Sequence, residues 1–160
     1  MQGIWREALH RWKFENDRRL WRLFWSLCIT PELLERCRTL KIDRVVWIDS
    51  GAAGRQVRNY QPCADVALAL TRALAAPGGC GPDLRKKRAG QRSAQSYAER
   101  FFSVHNSLEF CGAGEARTYL LVEDVFTTGA TANEASRVLK KNGAFHVFVI
   151  SLLLRDGEAC

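Results

Sequence analysis

The chain has no apolar run approaching the roughly 20 residues that cross a bilayer, which excludes a helical membrane span. Its opening, MQGIWREALHRWKFENDRRLW, mixes acids with aromatics and lacks the apolar core of a secretory signal, so the cytoplasm is the expected location. No C-x-x-C pair occurs among the cysteines at 28, 37, 63, 80, 111 and 160, and no nearby histidines complete a zinc-like set. They are expected as small buried apolar residues rather than as disulfides or metal ligands. His10, His105 and His146 show neither triad nor ligand spacing, so no role falls on them. An internal repeat and a domain linker are both missing. That leaves one domain over 1–160, with a helical N-terminal region over 1–40 and an α/β core over 41–160.

The charge is one-sided. A net charge of +7 and a pI of 9.4 favour anionic partners, phosphate esters or nucleic acid. The stretch RKKRAGQR, 85–92, holds five basic residues and no acid. Such a run is ordinarily a solvated loop, and net charge alone does not separate a nucleotide partner from DNA.

Periodicity outlines the elements. In WREALHRWKFENDRRLWRLFWSLC, Leu9, Trp12, Leu20, Leu23, Phe24 and Leu27 can share helix faces, with a break and new N-cap at Asn16-Asp17. Pro31 opens a second helix, PELLERCRTL, because proline suits a helix's first turn. Val45 to Ile48 form a short buried strand that stops at Asp49-Ser50-Gly51. CADVALALTRALAA reads as a long helix ended by Pro77-Gly78-Gly79. The polar, basic segment from Gly78 to about Gln95 reads as a mobile loop. SVHNSLEF is a strand or strand–loop candidate, and TYLLVEDV is a strand whose nearly unbroken apolar run suits a sheet covered on both faces. ANEASRVLKKNG follows as a helix with lysines in its last turn, and HVFVISLLL closes as a strand. This order predicts an α/β fold, a mainly parallel sheet flanked by helices with right-handed crossovers.

In such sheets ligands bind beyond the carboxyl ends of the strands. Here one strand ends in Glu123-Asp124, and Val125 to Thr131 make a hydroxyl-rich turn into a helix. Backbone N–H groups at that turn and at the helix N-terminus suit a phosphate, with hydroxyl donors from Thr127, Thr128 and Thr131. The acids would repel the phosphate itself and instead suit the hydroxyls of an attached sugar. A helix cap needs one such residue, not an acid pair, three threonines and a glycine. The pattern predicts a ribose 5-phosphate site.

LLVEDVFTTGAT resembles the phosphoribosyl pyrophosphate-binding signature of type I phosphoribosyltransferases, an apolar strand, two acids and a T-T-G-x-T turn. The resemblance implies that fold, with a mobile hood loop. It assigns the ribose diol to Glu123 and Asp124, and the 5-phosphate to Thr127, Thr128, Gly129, Ala130 and Thr131. It implies magnesium carried with phosphoribosyl pyrophosphate and held by few direct protein ligands. Within that fold, Lys13-Phe14, the RQVRNYQ element with Arg58, Tyr60 and Gln61, and RAGQRSAQSYAERFFSVHNSLEF are similar to parts of ComF-type competence proteins.

The chain departs from that pattern in lacking a cysteine-rich zinc module. A V-P-V-P strand end has become Val46-Trp47-Ile48-Asp49, Asn59 stands for a glycine, and Pro62 stands where a helix residue is usual. The ribose-phosphate half is intact and the pyrophosphate side is altered. Pyrophosphate contacts are expected from Ser50, Gly51 and Arg55, and from Lys86, Lys87 or Arg88 of the loop. The acceptor is expected to meet the strand end near His146 or the aromatics. Two functions follow from the resemblance. One is a phosphoribosyltransferase acting on phosphoribosyl pyrophosphate, or a binder of ribose 5-phosphate-containing nucleotides. The other is a ComF-like accessory protein of DNA uptake that contacts single-stranded DNA or the competence machinery. A homodimer is compatible with both.

Overall fold

In a computed structural model of the chain, the described residues are 25–26, 29–49, 61–87, 104–112 and 116–154. The readings made for 1–24, 50–60 and 88–103 lie outside them; these include the Trp-rich N-terminal helix, Ser50, Gly51, Arg55, Arg58, Tyr60 and Arg88. The elements in chain order are α1 (Pro31–Thr39), β1 (Arg44–Asp49), α2 (Pro62–Leu74), β2 (Cys80–Lys86), β3 (Leu108–Phe110), β4 (Thr118–Phe126), α3 (Ala130–Lys141) and β5 (His146–Leu154).

Pro31 opens its helix as anticipated, and a second proline, at 62, opens α2 one residue before the expected helix. Pro31 follows Thr30, whose hydroxyl accepts the Leu33 N–H at 3.3 Å. Pro62, a departure from the family pattern, also stands at the start of its helix, where its missing N–H costs no hydrogen bond. α2 ends with Ala75 in the left-handed region, and the Ala76 N–H returns to the Thr71 carbonyl at 3.2 Å. α3 ends with Lys140 and Lys141 in its last turn, and Gly143, at φ 99°, carries the chain out.

The sheet has the order β3-β2-β1-β4-β5. Its four long strands run parallel, and the short β3 closes the β2 edge antiparallel. Val45, Leu120 and Val122 point to one face, where Val66, Ala67 and Leu70 of α2 and Cys37 of α1 cover them. Val46, Tyr119 and Leu121 point to the other, against Ala132, Ala135, Val138 and Leu139 of α3. The alternation along β1 and β4 thus builds two apolar layers from one strand pair, each buried Val or Leu contributing about 1.5–3 kcal/mol. Burial also pushes the Tyr119 phenol and the Cys37 thiol up from their ordinary pKa values. The crossovers β1–α2–β2 and β4–α3–β5 step in opposite directions and lie on opposite faces, so they share one hand.

One expectation is overturned here. Residues 80–86, read as part of a mobile loop, form β2, hydrogen-bonded between β1 and β3. The buried positions of CGPDLRK include Gly81, Asp83 and Leu84, so no apolar alternation marks the strand. Pro82 has no N–H to give, and the register slips between the Val46–Gly81 and Ile48–Leu84 pairs. Asp83 tolerates burial because the Arg44 guanidinium meets it with two hydrogen bonds, at 2.5 and 2.8 Å.

Candidate functional site

Strand order reverses between β1 and β4: β1 leads outward to β2, and β4 leads the other way to β5. The crevice outside their carboxyl ends is where this topology seats ligands. β1 delivers Asp49 to that edge, and β4 delivers Glu123 and Asp124.

Glu123 and Asp124 are both half-buried. Glu123 pairs in register with Ser151 of β5, and its Oε2 atom is enclosed. Asp124 turns one oxygen, Oδ1, onto the N–H of Val125 at 2.8 Å. β4 runs two residues beyond the acid pair read as its end, with Val125 and Phe126 still paired to β5, and as successive strand positions Glu123 and Asp124 leave opposite faces of the sheet.

The turn follows after Phe126. Thr127 is exposed, Thr128 and Gly129 are half-buried, and Ala130 is buried as the first residue of α3. The Thr128 hydroxyl accepts the Ala130 N–H at 3.2 Å. Gly129, at φ 72°, is the N-cap and supplies no side-chain cap, and the first turn of α3 contains no acid. α1, by contrast, is capped by the Thr30 hydroxyl. The amino end of α3 therefore keeps the positive end of its dipole directed at the crevice, with Thr131 in its first turn. The structure brings together all seven residues read as diol and phosphate contacts, 123, 124 and 127–131, in one continuous strand–turn–helix.

The residues read as pyrophosphate contacts are placed differently. Lys86 is the last residue of β2, opposite Leu108, and the Lys87 N–H donates to the Ser107 carbonyl at 2.8 Å. Pairing with β3 holds both backbones in the sheet rather than in a mobile loop, and both side chains are exposed. Arg85 stands beside the Asp49 carboxylate, Nε to Oδ2 at 3.8 Å. His146 is a second correction. Because β5 runs parallel to β4, His146 pairs with Thr118 at the opposite edge of the sheet. It is about 16 Å of strand away from Glu123, and it stacks on Phe148 instead.

Sequence reading attached no ligand role to Asp49 and knew Gln61 only as part of a family element. The structure joins them. Gln61 Nε2 donates to Asp49 Oδ1 at 2.9 Å, and Trp47 Nε1 donates to Gln61 Oε1 at 2.6 Å. Asp49 is 4% exposed, and a buried acid ending an apolar strand was the one signal that could have drawn attention to it.

No protein-family model and no curated protein matches the chain. Among solved structures it is similar to a purine phosphoribosyltransferase from Pyrococcus horikoshii Ot3, at 18% identity and a TM-score of 0.47 over 87% of this chain and 75% of that one. An orotate phosphoribosyltransferase from Aeropyrum pernix matches at 16% identity and a TM-score of 0.46, over 88% of this chain and 75% of that one. An adenine phosphoribosyltransferase from Rhodothermus marinus DSM 4252 matches at 20% identity and a TM-score of 0.41, over 79% and 81%. At these TM-scores the likeness carries no functional argument. Neither these matches nor the described residues single out single-stranded DNA, a competence partner or a second copy of the chain.

Proposed function

We propose that the carboxyl edge of this sheet binds phosphoribosyl pyrophosphate and supports transfer of its phosphoribosyl group to a nitrogenous acceptor. The observation that carries the reading is the strand–turn–helix itself. Two carboxylates lie within the last four residues of β4, and beyond Phe126 a threonine–glycine turn opens directly onto a helix whose N-cap supplies no side chain. Ribose hydroxyls donate to Glu123 and Asp124, and the 5-phosphate lies against the N–H groups and hydroxyls of 127–131. The family resemblance of LLVEDVFTTGAT supports the same assignment.

The carboxylates also fit magnesium. They are hard oxygen donors, and they would reach it through ribose hydroxyls and water. When bound, the ion supplies charge neutralisation at the pyrophosphate. The protein's own part is to fix the sugar and to stabilise charge. In the transfer, the bond from C1 to the pyrophosphate oxygen breaks, and that oxygen keeps the electron pair. The acceptor nitrogen forms the new bond to C1, and its proton passes to the departing pyrophosphate or to water.

Thermal unfolding with phosphoribosyl pyrophosphate and magnesium tests the site. At a hundredfold excess over Kd a native-state ligand stabilises by about 2.7 kcal/mol, about 5–10 °C for a domain of this size. Asp124→Ala removes the shift. No shift at millimolar ligand, or an equal shift in the variant, would overturn the assignment. Pyrophosphate release across a panel of nucleobases then identifies the acceptor.

A further inference from the structure

The end of β1 holds a polar network that the ribose 5-phosphate contacts do not use. The Trp47 indole N–H occupies the Gln61 carbonyl oxygen, so the amide nitrogen faces Asp49 and donates to Oδ1. The other carboxylate oxygen, Oδ2, lies 3.8 Å from Arg85 Nε. Gln61 is the N-cap of α2, yet its side chain caps no N–H of that helix. The position favours side chains that close the helix. This one reaches back to the strand instead, across twelve positions of sequence.

The placement has a consequence for ligands. A ribose 5-phosphate with its phosphate at the amino end of α3 and its diol on Glu123 and Asp124 directs C1 away from α3. β1 is the neighbour of β4 on the side away from β5, and in the binding mode proposed above the C1 substituent is placed at the end of β1. In phosphoribosyl pyrophosphate that substituent is a pyrophosphate, and a carboxylate presented to it is repulsive. Asp49 ends β1, and its carboxylate is drawn onto an amide on one side and towards a guanidinium on the other.

We propose that Gln61 is a positioning residue for the pyrophosphate half of the site: it holds the Asp49 carboxylate at the start of α2 and so withholds that charge from the C1 substituent. This rests on the phosphoribosyl pyrophosphate reading above. It also gives the altered strand end, Trp47 to Asp49, a use: the indole orients the amide, and the amide holds the acid.

The test is calorimetric titration of the full chain, in magnesium, with ribose 5-phosphate and with phosphoribosyl pyrophosphate. Gln61→Ala is expected to weaken phosphoribosyl pyrophosphate about tenfold, with ribose 5-phosphate within about twofold of wild type. Asp49→Asn added to Gln61→Ala restores the lost affinity, because the repelling charge is gone. A purely structural clamp predicts the reverse, a double variant no better than the single one. Asp49→Asn alone covers the case in which Gln61→Ala does not fold; it binds phosphoribosyl pyrophosphate at least as tightly as wild type. An unchanged ratio of the two ligands in Gln61→Ala, an unrescued double variant, or weaker binding by Asp49→Asn each overturns the proposal. If wild type binds ribose 5-phosphate and the ratio stays fixed, only the role of Gln61 falls. If wild type binds neither ligand, the underlying site falls with it.

Discussion

Gly129 is the point on which the phosphate turn pivots. Its φ of 72° lies in the left-handed region, and a Cβ there would stand 2.8 Å from Cζ of the Phe126 ring. Gly129→Ala thus meets a backbone penalty and a ring that must move. We expect a loss of about 1–2 kcal/mol, read as a lower Tm, together with weaker binding of ribose 5-phosphate. A variant with wild-type Tm and affinity would show that the turn tolerates another geometry. The residues of this half were legible in the sequence because they are contiguous: strand, acids, turn and helix follow one another without a gap. Asp49, Gln61 and Arg85 were not legible as a group. Their contacts join the ends of two strands and the start of a helix, and only the folded topology makes them neighbours.

At the scale of elements, α3 holds more than the site. Glu134, 3% exposed, takes both Nε and Nη2 of Arg137, at 2.7 and 2.8 Å, and Arg137 reaches on to Asn106 Oδ1 at 3.0 Å. His105 Nδ1 lies 3.8 Å from the same carboxylate. The turn that leads into β3 is thereby fastened to α3. The Arg137 hydrogen bonds hold the Glu134 carboxyl below its ordinary pKa, against the opposing effect of burial. The stability this contributes is complete above the ordinary glutamate range and is lost as pH falls through the depressed folded value. Glu134→Gln should lower Tm at neutral pH, by less than a fully buried pair would because the Arg137 side chain keeps much of its surface in water. The gap in Tm between wild type and variant should hold down to about pH 5 and then narrow. A gap that widens in acid would show that the ion pair is not its source. β4 was readable from its nearly unbroken apolar run, and the helix from the lysines in its last turn and the glycine that stops it. β2 was not, because its buried positions include a glycine and an aspartate whose partner, Arg44, comes from β1. The burial of Asp83 there is met by a tertiary ion pair, which local pattern does not encode.

For the whole molecule, the parallel sheet divides its two edges between different tasks. The carboxyl edge gathers Asp49, Glu123, Asp124 and the turn into α3. The amino edge is latched: Asp43 accepts the N–H groups of Arg117 and Thr118 at 3.0 and 2.8 Å, and Arg117 lies over the Phe145 ring at 4.8 Å. Arg44, the first residue of β1, reaches Asp83 and the Gly78 carbonyl, and its head passes so close to Gly81 that a Cβ there would lie 2.6 Å from Nη2. The Asp83 carboxylate pushes the Arg44 guanidinium further up, as expected for a paired charge. Asp83→Asn leaves that cation without its counter-charge. Because the Arg44 side chain keeps 24% of its surface in water, the expected cost sits at the low end for a buried pair, about 3 kcal/mol, or about 6–12 °C in Tm. If the edges act independently, the increment that phosphoribosyl pyrophosphate and magnesium add to Tm stays that of wild type in Asp83→Asn, on a lower baseline. Asp124→Ala should show the opposite pair of results, an intact baseline and no increment. Loss of the increment in Asp83→Asn would mean that the amino edge sets the geometry of the binding edge, and that stability and ligand binding in this sheet are not separable.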